Sequence, residues 1–140
     1  MDLQAISDRI EIDDLITTYT RAVDTLDWPR FDTVFTPDAT IDYTASGGIK
    51  GTRDEVREWM AKTLPTFSTM QHYVCQKEVK LDGDSADVRV YLMNPMAITQ
   101  PDGSAWRMEV GGYYLHRLVR MPDGWRSREL VEELAWDRKD

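Results

Sequence analysis

The stretch LDGDSADVRVYLMNPMAITQPDGSAWRMEVGGYYLHRLVRMPDGW, residues 81–125, decides the fold class. Three turn signals punctuate it, Asp82-Gly83, Pro101-Asp102-Gly103 and Pro122-Asp123-Gly124. Between them β-branched and aromatic residues dominate, the composition of hairpin-linked strands. Ala86, Val88, Val90 and Leu92 alternate with polar positions and make one apolar face; Trp106, Met108, Val110, Gly112 and Tyr114 make another. Four long strands are expected from Phe67 onward. Strands this long stay packed by bending or carrying bulges, and Gly111-Gly112 is the expected bend.

Working outward, Ile12, Leu15, Ile16, Tyr19, Val23 and Leu26 recur at helical spacing, with Ser7 as the expected N-cap. Asp27 is expected to cap a short second helix carrying Pro29 in its first turn and Phe31, Val34 and Phe35 as apolar residues, ending before Pro37. Ala39 to Tyr43 alternates as a short strand, broken by Ser46-Gly47-Gly48. Thr52 and Glu55 form a capping box, and Val56, Trp59, Met60 and Leu64 carry a third helical face as far as Pro65. This order predicts an α+β fold: a cone-shaped, curved, mixed and mostly antiparallel β-sheet wrapped on three N-terminal helices. No internal repeat or linker divides the chain, so residues 1–140 are expected to form one domain.

Lys and Arg number 17 against 25 Asp and Glu, a net charge of −8. That balance argues against nucleic acid or an anionic membrane as partner and favours a small apolar organic molecule. Cys75 is the single cysteine, which removes an internal disulfide and a thiolate zinc cluster; with two histidines, no metal site is expected. Met1-Asp2-Leu3-Gln4 lacks the start of a signal peptide and no run reaches transmembrane length, so a cytoplasmic protein is expected.

Tyr19, Asp24 and His72 are the residues whose chemistry converges. A histidine acts as general base near neutral pH when a carboxylate holds its tautomer and offsets the imidazolium. Asp24 is the candidate carboxylate, and the Tyr19 phenol is a hydrogen-bond donor to a carbonyl or a leaving oxygen. On a straight helix Tyr19 and Asp24 stand roughly 140° apart, so convergence requires the helix to end or bend, for which Asp27-Trp28-Pro29 is the signal. The competing reading is a surface Asp and a packed Tyr.

Other candidates each carry a plain structural alternative. His116 shares a strand face with Trp106, Met108 and Tyr114; it faces a pocket, or it is a hydrogen-bonded sheet histidine. Asn94, before Pro95, is a polar ligand contact at a strand end or a turn former. Trp106 and the methionines line an apolar cavity or fill the core. Cys75, three residues after His72, points to the opposite strand face, so a Cys–His pair is not expected. Glu129, Glu132 and Glu133 read as a solvated or interface edge.

The run Tyr19-Thr-Arg-Ala-Val-Asp24, with Asp27-Trp28-Pro29-Arg30-Phe31, Phe35-Thr-Pro-Asp38-Ala39, Tyr43 and Gln71-His72, resembles the SnoaL-like family of the nuclear transport factor 2-like superfamily. The resemblance extends to the Leu81–Ala86 hairpin and the Asp123-Gly124-Trp125 turn, nearly the whole chain. It implies kinship with cofactor-free lyases, among them bile-acid dehydratase, scytalone dehydratase and hexachlorocyclohexane dehydrochlorinase. It implies a dyad at Asp24 and His72, pocket tyrosines at Tyr19 and Tyr43, and a homo-oligomer, trimer or dimer; substrate contacts from Asn94, Trp106, Tyr114 and His116 are expected from their strand positions alone. One departure bears on the leaving group. The dehydrochlorinase holds it with an arginine on the final strand, where this chain has Leu130, so loss of water is expected over loss of halide. The implied activity is dehydration of a small apolar hydroxy-carbonyl, steroid-like or polyketide-like substrate. An isomerase or polyketide cyclase, or a non-catalytic ligand-binding or dimerisation module, remains open.

Overall fold

The computed structural model describes all 140 residues. Helix α1 (Leu3–Asp24) starts earlier than its buried periodicity suggests, because Asp2, not Ser7, caps it by accepting the Ala5 N–H at 2.8 Å. Its first turns are outside the core, with Leu3 and Ile6 exposed, so the apolar pattern that begins at Ile12 understates the helix. Asp27 caps α2 (Trp28–Asp32) as expected, with Pro29 in the first turn. The helix is shorter than its apolar residues implied, since Phe35 already opens strand β1 (Phe35–Asp42). Pro37 sits inside a register irregularity between Phe35 and Thr40, where its missing N–H interrupts no ladder bond. Tyr43 lies just past the strand and leads into a 3-10 turn, Thr44–Ser46.

Strand β2 (Lys50–Thr52) hands over to α3 (Arg53–Thr63), whose Thr52 cap accepts the Glu55 N–H, and Pro65 ends the helix in a 3-10 turn. A short strand β3 (Thr69–Met70) then precedes the four long ones: β4 (Tyr73–Asp82), β5 (Ser85–Thr99), β6 (Ala105–Met121) and β7 (Gly124–Lys139). The sheet runs β2-β1-β7-β6-β5-β3, with β4 also paired to β5. Every pairing is antiparallel except β1 with β7, so the sheet is mixed. It is curved and unclosed, with the helices over its concave side.

The bend falls at Gly111-Gly112, where Gly111 pairs with Trp136 and Gly112 with Leu134, leaving Ala135 as the extra residue. A Cβ on Gly111 would stand 2.2 Å from the Trp136 indole, and one on Gly112 would stand 1.9 Å from the Glu133 carbonyl oxygen. Only glycine permits that approach. The inward faces meet α1 and α3 in one core built on Ile12, Ile16, Phe31, Ile41, Val56, Leu118 and Leu130.

One charged cluster pins α1 to the sheet. Asp8 accepts both guanidinium nitrogens of Arg120 at 2.8 and 3.0 Å and the Trp125 indole N–H at 3.2 Å, and the Arg120 guanidinium lies 4.6 Å over the Trp125 ring. The hydrogen bond from Arg120 holds the Asp8 carboxyl well below the usual carboxylate range. Because the folded value lies below the unfolded one, this contribution is complete above about pH 4 and lost as the pH falls towards the folded value. Asp8→Asn should therefore lower Tm at neutral pH, with the deficit shrinking below about pH 4. Thermal unfolding of both proteins across that range checks it; a deficit that persists unchanged in acid contradicts it.

Candidate active site

Asp24 is the last residue of α1 and His72 lies in the two-residue link between β3 and β4. The Asp24 carboxylate meets the His72 ring at Nδ1, 2.6 Å away, and accepts the His72 backbone N–H at 3.0 Å. A carboxylate is acceptor-only, so Nδ1 carries the hydrogen and Nε2 is left as the lone-pair nitrogen. Both side chains are largely buried, at 8% and 14% exposure. The backbone contact matters as much as the ring contact, because it fixes the link on which the imidazole is mounted.

Tyr19 and Asp24 do keep separate faces of α1. Tyr19 turns into the core, 1% exposed, while Asp24 at the helix end reaches sideways to the β3–β4 link. The histidine comes to the helix terminus, and no bend within the helix is needed. Beyond Asp24 the chain breaks sharply at Leu26, whose φ of 56° lies in the left-handed region.

His72 lines a cavity of about 230 Å³ between α1, α3, the Tyr43–Gly48 segment and the concave sheet. Its walls are mostly apolar, with Trp59, Met60, Phe67, Met96, Met108 and Val110 among them. Tyr19, Tyr43, Asn94, Tyr114 and Glu132 bring polar atoms, and no lysine or arginine reaches it. The Tyr19 and Tyr43 hydroxyls are 2.5 Å apart, and burial pushes both phenols, and that of Tyr114, well above the ordinary tyrosine value. Asn94 is buried with its side-chain oxygen unpartnered. Glu132 is also buried, hydrogen-bonded by the Ser46 hydroxyl, and burial raises its carboxyl above the usual range. No group of three or more His, Cys, Asp and Glu side chains is placed to hold a metal ion.

The family model of the SnoaL-like domain matches residues 4–131. The chain belongs to the SnoaL-like family. An uncharacterized protein of Mycobacterium tuberculosis is 38% identical over 141 aligned positions, covering 99% of this chain and 92% of the relative. A proposed aromatic ring hydroxylase from Novosphingobium aromaticivorans superposes with a TM-score of 0.85 at 27% identity, over 96% of this chain and 94% of that one. A proposed scytalone dehydratase from the same organism gives 0.82 at 15% identity, over 96% and 88%. The hexachlorocyclohexane dehydrochlorinase of Novosphingobium barchaimii gives 0.81 at 16%, over 100% and 94%. The last two likenesses establish the shared cone alone.

Within this SnoaL-like cone, Tyr19, Tyr43, His72, Asn94 and Tyr114 line the cavity, with Asp24 directly behind His72. Two expected contacts do not. Trp106 pairs with Ile98 near the start of β6 and lies outside the cavity lining. His116 shares the Tyr114 face but sits deeper in the core, packed edge-on against Tyr19 with ring centroids 5.9 Å apart. Its Nδ1 donates to the Ser127 hydroxyl at 2.9 Å, which in turn donates to the Glu129 carbonyl, and burial pushes its pKa down to about 3. It is the neutral, hydrogen-bonded sheet histidine of the alternative reading.

Glu132 corrects the sequence reading in the other direction, from solvated edge to cavity wall. Trp125 and Ser127 face inward, but the register shifts opposite Arg117–Leu118, so Arg128 is extra and the inward phase passes to Leu130 and Glu132. Leu130 was the available signal: an apolar residue that must face in carries Glu132 in with it at i+2. Leu130 itself is buried in the core and does not line the cavity.

A structural role for His116 has a measurable consequence. His116→Ala should cost about 2–4 kcal/mol in urea unfolding, from the cavity created and the lost hydrogen bond to the Ser127 hydroxyl. A variant as stable as the parent would contradict that role.

Proposed function

We propose that this protein is a cofactor-free lyase that removes water from a small hydroxy-carbonyl compound. The observation that carries the reading is the Asp24–His72 contact of 2.6 Å on the wall of an apolar cavity. Nε2 of His72 takes a proton α to the carbonyl, or vinylogous to it, while Asp24 keeps the ring in the required tautomer and offsets its new charge. One hydroxyl of the Tyr19–Tyr43 pair donates to the other, and the hydrogen that remains is offered to the carbonyl oxygen, where negative charge develops as the proton leaves. Acid–base help of this type is worth about 3–5 kcal/mol, and positioning within the cavity supplies the rest.

The cavity bears on substrate size. At about 230 Å³ it exceeds the roughly 150 Å³ apolar void that takes up benzene, which suits one or two rings better than a four-ring steroid skeleton. The dehydratase and dehydrochlorinase among the similar folds support elimination chemistry on this scaffold. A binding module would have no use for a carboxylate that orients a histidine on the cavity wall.

His72→Ala and Asp24→Asn should each lower kcat/KM by about 100-fold or more on β-hydroxy ketones of one or two rings, followed by enone absorbance. Both variants should remain folded by circular dichroism. Turnover by the parent that is unchanged in both variants would remove the dyad from the mechanism.

A further inference from the structure

We propose that Glu132 is the proton donor to the departing oxygen, so that the site is built for substrates losing a hydroxyl rather than a halide. The inference rests on the lyase reading above and assigns the step that reading leaves open, protonation of the departing oxygen. Glu132 stands on β7 opposite Tyr114, buried, on the same cavity as His72. Its one hydrogen bond comes from Ser46; its other carboxyl oxygen has no partner in the protein.

A carboxyl in such a place is a poor structural device. Burying it without a cation is costly, and a glutamine would accept the same Ser46 hydrogen bond at less expense in desolvation. The groups facing it are Tyr19 from α1, Tyr43 and Ser46 from the segment after β1, Tyr114 from β6 and His72 from the β3–β4 link, with Asp42 nearby at the end of β1. None is a permanent cation. Burial, the largest influence, raises the carboxyl above its ordinary value and Asp42 acts in the same direction, against the Ser46 hydrogen bond and the charge of His72, which lower it.

Leaving-group chemistry follows from that inventory. Chloride departs without a proton but needs a positive charge to receive it, and the cavity presents no lysine or arginine. Hydroxide is a poor leaving group unless protonated as it goes, and a carboxylic acid is intrinsically stronger than a phenol by about six pK units. In the step, the C–H proton passes to His72 Nε2 and the C–H electron pair becomes the new π bond. The C–O bond breaks with its pair on oxygen, which takes the Glu132 proton and leaves as water. Positive charge on His72 lowers the Glu132 pKa, so the first proton transfer promotes the second. The resulting imidazolium–carboxylate pair resets when the proton returns from His72 to Glu132 through water.

Glu132→Gln keeps the side-chain size and the Ser46 hydrogen bond while removing the acid, and it is assayed on a β-hydroxy ketone and its β-chloro analogue, corrected for spontaneous elimination. The expected result is a loss of about 100-fold or more in kcat/KM on the hydroxy compound and less than about threefold on the chloro compound. Equal losses on both, or none on either, overturn the assignment while His72→Ala still reports on the lyase reading. A parent protein inert on both compounds overturns the lyase reading and the acid with it. Infrared spectroscopy of the parent with carboxyl-labelled glutamate gives a readout independent of turnover. A protonated-acid band at neutral pH that Glu132→Gln abolishes is expected, and absence of that band in the parent overturns the proposal.

Discussion

The concave sheet depends on two glycines at the middle of β6. Gly111 lies flat beneath the Trp136 indole and Gly112 lies against the Glu133 carbonyl, with no room for a side chain at either position. Long antiparallel strands that twisted evenly would make a sheet without a hollow. Here one extra residue on β7 folds the pair sharply, and the space between the bent sheet and the helices is the cavity. A second irregularity, at Arg128, decides which β7 side chains enter that space. The shape of the site and part of its chemistry thus come from backbone accidents of register, each tolerated because the adjoining residues leave the necessary room.

The electrostatics of the hollow follow from what surrounds it. The chain carries a net charge of −8, and several of its arginines pair with carboxylates away from the cavity, as Arg120 does with Asp8 and Arg57 with Asp32. The cavity keeps three phenols and a carboxyl in low dielectric, all displaced towards their protonated forms by burial. Beside them stands a histidine whose tautomer is set by Asp24. A neighbourhood of hydrogen donors around one oriented base suits proton transfer, whereas His116, equally buried but engaged with Ser127, contributes packing.

Much of this was legible in the residues. Alternation at Ala86–Leu92 and the Asp-Gly turns marked the long strands, and the glycine pair marked the bend. Asp24 and His72 were legible through their chemistry and through the family resemblance. Trp106 and His116 stayed open between pocket and core because alternation reports the face of a strand and says nothing of depth along it. Glu132 was missed for a different reason: three glutamates within five residues look like a wet edge until the Arg128 irregularity is known to reverse the phase.

The sequence by itself determined the element types, their order and the residues able to do acid–base chemistry, because these depend on periodicity, turn propensity and functional groups carried within a few positions. Tertiary structure decided which groups share the cavity. A one-residue slip of a strand exchanges its two faces, and contact between the end of α1 and the β3–β4 link joins residues 48 positions apart. Such relations depend on how distant segments pack together, which local spacing does not encode.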